Sequence, residues 1–179
     1  MVIKFGTDGW RAIIAEDFTF ENVRICAQGT ANFLIANRLA TRGFVIGYDN
    51  RFASEDFARA VAEVITANGI PVMLCDKAAP TPVISFNLVR KDAGAGCIIT
   101  ASHNSSIWNG FKFKPDYGGS ASPEIVERLE ERIAAVELAP DIKRMDLAEA
   151  ERQGLLEHFD PEPEYLAHVA SIVDVQSIR

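Results

Sequence analysis

Ser102 stands in the stretch IITASHNSSIWNGFKF, where the apolar pair Ile98 and Ile99 gives way to a polar loop and then to alternating aromatics and lysines. Arg11 in GTDGWRA, Arg51 in DNRFAS, and Lys112 and Lys114 in FKFK bring cations from other parts of the chain. A serine hydroxyl ringed by guanidinium and ammonium groups suits phosphoryl chemistry, because such groups neutralise phosphoryl oxygens. Two apart in an extended segment, Lys112 and Lys114 share one face while Phe111 and Phe113 take the other. Taken singly, a loop serine is more often structural than chemical. His103 is next to Ser102 in sequence, and neighbouring side chains diverge, which argues against a Ser-His dyad. His103 and Asn104 read as braces of the loop, and Asn109-Gly110 reads as a turn. There is no GxSxG elbow for a serine hydrolase and no GxGxxG or GxxxxGK[ST] nucleotide loop.

The elements that must position these residues follow from periodicity. Val2–Phe5 reads as a short first strand emptying into GTDGWRA. A helix from about Phe20 to Leu39 follows, with Thr19 as N-cap, an apolar face through Val23, Ala27, Thr30, Leu34 and Ala36, and an end marked by Thr41 and Gly43. GFVIGYD is a continuous apolar strand. Ser54 is expected to cap the next helix, which Asn68-Gly69 closes. IPVMLCD is a third strand, and Thr81 and Pro82 start the helix after it as N-cap and first helical residue. AGCIIT is a fourth strand, FKFK adds another, and SPEIVERLEERIAAV is an amphipathic helix capped by Ser122. This rhythm predicts an α/β fold, a three-layer α/β/α sandwich with a mixed, largely parallel sheet. Residues 1–140 read as one domain. Residues 141–179 read as a connector with short elements, Pro161 and Pro163 marking a joint before a last helix around Glu164 to Val173. In such a sheet, ligands gather outside the carboxyl ends of the strands. That rule selects GTDGWRA, DNRFAS, KAAPTP and SHNSSIWNG, so Arg11, Arg51 and Ser102 are expected on one rim.

Composition narrows the partners. At 179 residues and 48% hydrophobic content, the chain can bury a proper core. The net charge is −7, with the first 119 residues at +1 and the rest at −8. An acidic protein without a basic stripe is not built for nucleic acid, whose binding relies on phosphate contacts. The near-neutral front remains open to an anionic small molecule. Cys26, Cys75 and Cys97 are odd in number, far apart and set in apolar segments, as reduced core thiols of a cytoplasmic protein would be. No apolar run of about 18 residues suggests a membrane span, and Lys4, Asp8 and Arg11 come too early for a signal peptide.

FGTDGWRA, GYDNRFAS, APTP and TASHNSSIWNGFKF resemble, in order and spacing, the first domain of the α-D-phosphohexomutases, the phosphoglucomutase and phosphomannomutase family. The resemblance covers about residues 1–140. EYLAHVASIVDVQSIR looks like the helical entry to that family's second domain. The resemblance implies that Ser102 is a phosphoserine. It would give its phosphoryl group to a hexose 1- or 6-phosphate and take one back from the hexose 1,6-bisphosphate. Lys112 then matches a general acid or base, with His103 beside the catalytic serine. Arg11, Arg51, Asn104 and Lys114 are expected to bind phosphate. Mg²⁺ is implied on the phosphoserine oxygen, with its other ligands, like the sugar-choosing loop, in further domains that act as partners of this one.

The sequence departs from that family at Ser105, where proline is usual, at Trp108, where tyrosine is usual, and at Ala12, where glycine is common. Ser105 gives up a fixed φ, which predicts a looser loop. The nearest alternative is a non-catalytic module of the same fold that binds a sugar phosphate or a protein.

Overall fold

The computed structural model describes residues 3–6 and 8–178, in the order β1 (Trp10–Ile13), α1 (Phe20–Ala36), β2 (Phe44–Tyr48), α2 (Ser54–Ala67), β3 (Val72–Cys75), α3 (Thr81–Arg90), β4 (Ala95–Ile99), β5 (Trp108–Pro115), α4 (Pro123–Leu138), α5 (Leu147–Arg152), β6 (Leu156–Phe159) and α6 (Glu162–Ile172). Both β2 and β4 are buried along their whole length, because helices cover the sheet on two sides. The six strands lie in the order β1-β5-β4-β2-β3-β6. β4, β2, β3 and β6 are parallel; β5 and β1 are antiparallel to their neighbours. The sheet is therefore mixed and largely parallel.

The chain leaves β2 for β3 on one side and returns to β4 on the other. Right-handed crossovers then require α2 and α3 to lie on opposite faces. Accordingly α1, α2, α4 and α5 pack together as one layer, and α3 packs with α6 in the other. Phe44, Ile46 and Ile98 are fully buried between the layers, with Leu34 from α1 and Ile84 and Leu88 from α3. Each such side chain contributes about 2 kcal/mol by leaving water.

Several sequence expectations need correction. Val2 lies outside the described residues, and Ile3–Phe5 is not a strand. Its apolar side chains do face the core, but its N–H groups donate to α4 carboxylates, Ile3 to Glu137 Oε1 (3.2 Å) and Phe5 to Glu130 Oε1 (2.6 Å). The first strand is instead Trp10–Ile13, inside the expected loop. α1 ends at Ala36, which is exposed, because Asn37 caps it and its Nδ2 donates to Phe33 O. Ser54 is the first residue of α2 rather than its cap; Ala53 holds the cap position at φ 56°. Likewise Pro80, not Thr81, precedes α3. Asn109-Gly110 lies within β5, not in a turn. The segment expected as a connector carries α5, packed on α2, and β6, which pairs with β3 and completes the sheet. Thr19 and Ser122 cap α1 and α4 as expected, and Asn68-Gly69 ends α2.

Candidate active site

β2 and β4 lie side by side, yet the chain leaves their carboxyl ends in opposite directions, through α2 toward β3 and through a loop toward β5. Such a switch point opens a crevice between the two loops. A depression of about 460 Å³ occupies it, lined among others by Asp49, Arg51, Phe52, Ser102, Asn104 and Ser106.

Ser102 is exposed and adopts φ 57°, a left-handed conformation that costs a residue with a Cβ about 1–2 kcal/mol. Its N–H donates to Thr100 Oγ1 at 2.9 Å. The rest of the loop is gathered by Arg51. Its Nη2 donates to Ser102 O (2.8 Å) and Asn104 O (2.6 Å), and its Nη1 to Ser105 O (2.8 Å) and Trp108 O (3.1 Å). Nε lies 3.3 Å from Asp49 Oδ2. Each Nη nitrogen thus serves two carbonyls, and Nε faces a carboxylate. Arg51, expected to bind phosphate, is thus committed to backbone carbonyls. Asp49 Oδ1 accepts from Arg51 N–H (3.0 Å) and Ser54 Oγ (2.9 Å), and Ser54 Oγ accepts from the fully buried Asn109 Nδ2 (2.9 Å).

Arg11 reaches the same loop from β1, an antiparallel edge strand rather than a rim loop. Its Nη1 donates to Asn104 Oδ1 at 2.9 Å. Arg11 also lines a second depression of about 380 Å³ with Lys4, Gly6, Asp8 and Gly9. Here Asp8 bridges both lysines of β5, Oδ2 to Lys112 Nζ (2.9 Å) and Oδ1 to Lys114 Nζ (2.6 Å). The two lysine side chains are only 7% and 6% exposed. Burial pushes the Asp8 carboxyl up, but hydrogen bonds from Lys114 and Lys112 and their charges outweigh it and hold the group below the usual range. Gly9, at φ 125°, allows this approach, since a Cβ there would sit 2.4 Å from Phe111 O. Gly110 has a similar reason: its Cβ would meet Thr100 O at 2.6 Å.

The sheet therefore brings Arg11, Arg51, Ser102 and Asn104 together, and sets Lys112 and Lys114 on one face with Asp8. His103 is exposed beside Ser102. Sequence reasoning missed Asp8 as a site residue. The signal was present: two like charges on one face of an otherwise apolar strand require a counter-ion. In the KAAPTP loop Ala79 N–H donates to Tyr48 O at the end of β2 (2.9 Å), while Lys77 pairs with Asp160 (2.8 Å) and Glu162 (3.3 Å). Among the described residues no group of three His, Cys, Asp or Glu side chains could hold a metal, and both Asp49 oxygens are already engaged. The three cysteines are buried and unpaired; burial pushes the Cys75 thiol, the more so beside Asp76, up to about 12. Among the described residues no helix is long and apolar enough to cross a membrane.

Residues 2–139 match the family described as "Phosphoglucomutase/phosphomannomutase, alpha/beta/alpha domain I". A phosphoglucomutase of Staphylococcus saprophyticus is 33% identical over 180 residues, covering 96% of this chain and 32% of its own length. A human glucose 1,6-bisphosphate synthase is 34% identical over 144 residues, covering 72% of this chain and 23% of its own. A solved Thermus thermophilus structure assigned as a phosphomannomutase superimposes with a TM-score of 0.84 at 29% identity, over 99% of this chain and 37% of that one. The chain thus spans about a third of the length of the first of these relatives.

Proposed function

Because this chain belongs to the phosphoglucomutase/phosphomannomutase family, we propose that it is the phosphoserine-bearing domain of a hexose-phosphate mutase, an intramolecular phosphotransferase of carbohydrate metabolism. The observation that carries the reading is Ser102 itself, exposed at the switch point of the sheet in a conformation held from both sides. A free hydroxyl oxygen of hexose 1- or 6-phosphate attacks the phosphorus on Ser102. The new O–P bond forms, the bond to Ser102 Oγ breaks, and the sugar's hydroxyl proton passes to a base while Ser102 Oγ regains one. The bisphosphate then returns its other phosphoryl group to Ser102 by the reverse step.

In this reading Lys112, its ammonium oriented by Asp8, donates a proton to Ser102 Oγ as that oxygen leaves and, then neutral, takes up the sugar's hydroxyl proton, while Lys114 adds positive charge to the same face. Arg11 and Asn104 join the two depressions into one phosphate-binding surface. His103 borders the serine. Mg²⁺ on the phosphoserine oxygen would spread the charge of the transferring group. This chain offers it the Ser102 oxygen, and the remaining ligands come from further domains. Phe52 and Ile107, both exposed beside the loop, form part of the surface those domains would cover. The isolated chain is accordingly expected not to turn over, and its buried free thiols suit the cytoplasm.

The test is Ser102→Ala in the full-length mutase, assayed for interconversion of glucose 1- and 6-phosphate and of the mannose phosphates. Activity and phosphoserine should both disappear; normal turnover in the variant would refute the reading.

A further inference from the structure

Four carbonyls of the Ser102 loop converge on the Arg51 guanidinium, which is supplied by the loop after β2. Converging carbonyl dipoles repel one another, and a chain holds them together only around a cation or a set of donors. Ser102 needs such a constraint more than its neighbours, since its left-handed φ is disfavoured for a residue with a side chain. The guanidinium is itself fixed. Its side chain is 14% exposed, Asp49 holds Nε, and Asp49 is in turn held by Ser54, which Asn109 of β5 holds. The chain of bonds runs from the sheet to the serine without relying on solvent.

We propose that Arg51 is a positioning residue for phosphoryl transfer at Ser102. It fixes the loop in the conformation that presents the hydroxyl, and it offsets the carbonyl dipoles that would otherwise repel a phosphate dianion. It does this without touching the phosphate, because both Nη nitrogens are engaged by carbonyls and Nε faces Asp49. The inference rests on the reading of Ser102 as the phosphoserine. Lysine cannot substitute, since three donors on one nitrogen do not reach four carbonyls spread over a planar fork.

Arg51→Lys and Arg51→Met are to be compared with Ser102→Ala in the full-length enzyme, using glucose 1-phosphate with glucose 1,6-bisphosphate as activator. A misplaced serine should lower kcat about a hundredfold in Arg51→Met. KM should stay within about threefold of wild type, because no ground-state contact is lost. Arg51→Lys, which keeps the charge beside Asp49 and should fold, should recover only part of kcat. In the 179-residue chain, amide exchange at Ser102, Asn104 and Trp108 should quicken about tenfold or more in both variants, while β4 amides are unchanged. A rise in KM at unchanged kcat would make Arg51 a phosphate ligand and overturn the proposal, as would wild-type kcat and exchange in both variants. If Ser102→Ala retains turnover, the functional reading itself fails, a separate outcome.

Discussion

The Ser102 loop and the Asp8 cluster solve opposite problems with the same kind of interaction. In the loop one cation gathers four neutral carbonyls at the protein surface; in the cluster one carboxylate gathers two cations within the sheet layer. Losing the central residue therefore has different consequences. The loop can swing into water and satisfy its carbonyls there. The lysines, 7% and 6% exposed, cannot, and would be left charged without a partner. The first region thus governs geometry and the second governs stability.

The largest effect should come from Asp8→Asn, which strips both lysines of their counter-ion and should cost about 3 kcal/mol in urea unfolding. A loss below about 0.5 kcal/mol would place the lysines effectively in solvent and erase the contrast. Next, Asn109→Ala removes the donor to Ser54 and the acceptor of the Gly110 N–H within the buried network behind Arg51, and should cost about 1–3 kcal/mol. It should also quicken amide exchange in the Ser102 loop, linking the loop to the sheet. Third, acid should separate the regions. Because the folded Asp8 carboxyl lies below its ordinary value of about 4, its contribution is complete above that value and is lost as pH falls through the lowered one. Unfolding followed from about pH 6 down to about pH 2 should show this slope in wild type and lose that component in Asp8→Asn. The smallest change should be Ala53→Gly. It relieves the left-handed φ of 56° at the start of α2 and should stabilise by up to about 1 kcal/mol, with the loop bonds of Arg51 intact.

What could be read from the sequence was what depends on near neighbours. The apolar runs of β2 and β4 announce strands buried on both faces, and Thr19 and Ser122 announce helix starts, because caps act over three residues. The rim rule placed Arg51 and Ser102 together correctly, since it follows from the winding of the sheet. Long-range partners were not legible. Trp10–Ile13 is only four residues long and follows GTDG, so nothing local separates it from a loop; its strand character comes from β5. Asp8 was given no role in the GTDGWRA loop because the lysines that engage it lie on β5. Arg51 was read as a phosphate ligand from its charge and the family resemblance, whereas the carbonyls that engage it belong to a loop whose curvature no local pattern reveals. Ala53 in place of Ser54 as the cap reflects the same limit: Ser54 is drawn instead to Asp49 and Asn109.

The pairing of β1 with β5 has a consequence for how the protein comes into being. Trp10 lies opposite Phe111, so during synthesis at about 5–20 residues per second the first strand leaves the ribosome several seconds before its partner exists. β2, α2, β3, α3 and β4 can pair and pack in that interval, while Asp8 and Arg11 wait on an unattached leader. The contact order of the site is thus far higher than that of the central strands, and Arg11 meets Asn104 only when the edge of the sheet closes. The surroundings of Ser102 are thus expected to assemble late, with β6 joining the opposite edge of the sheet later still.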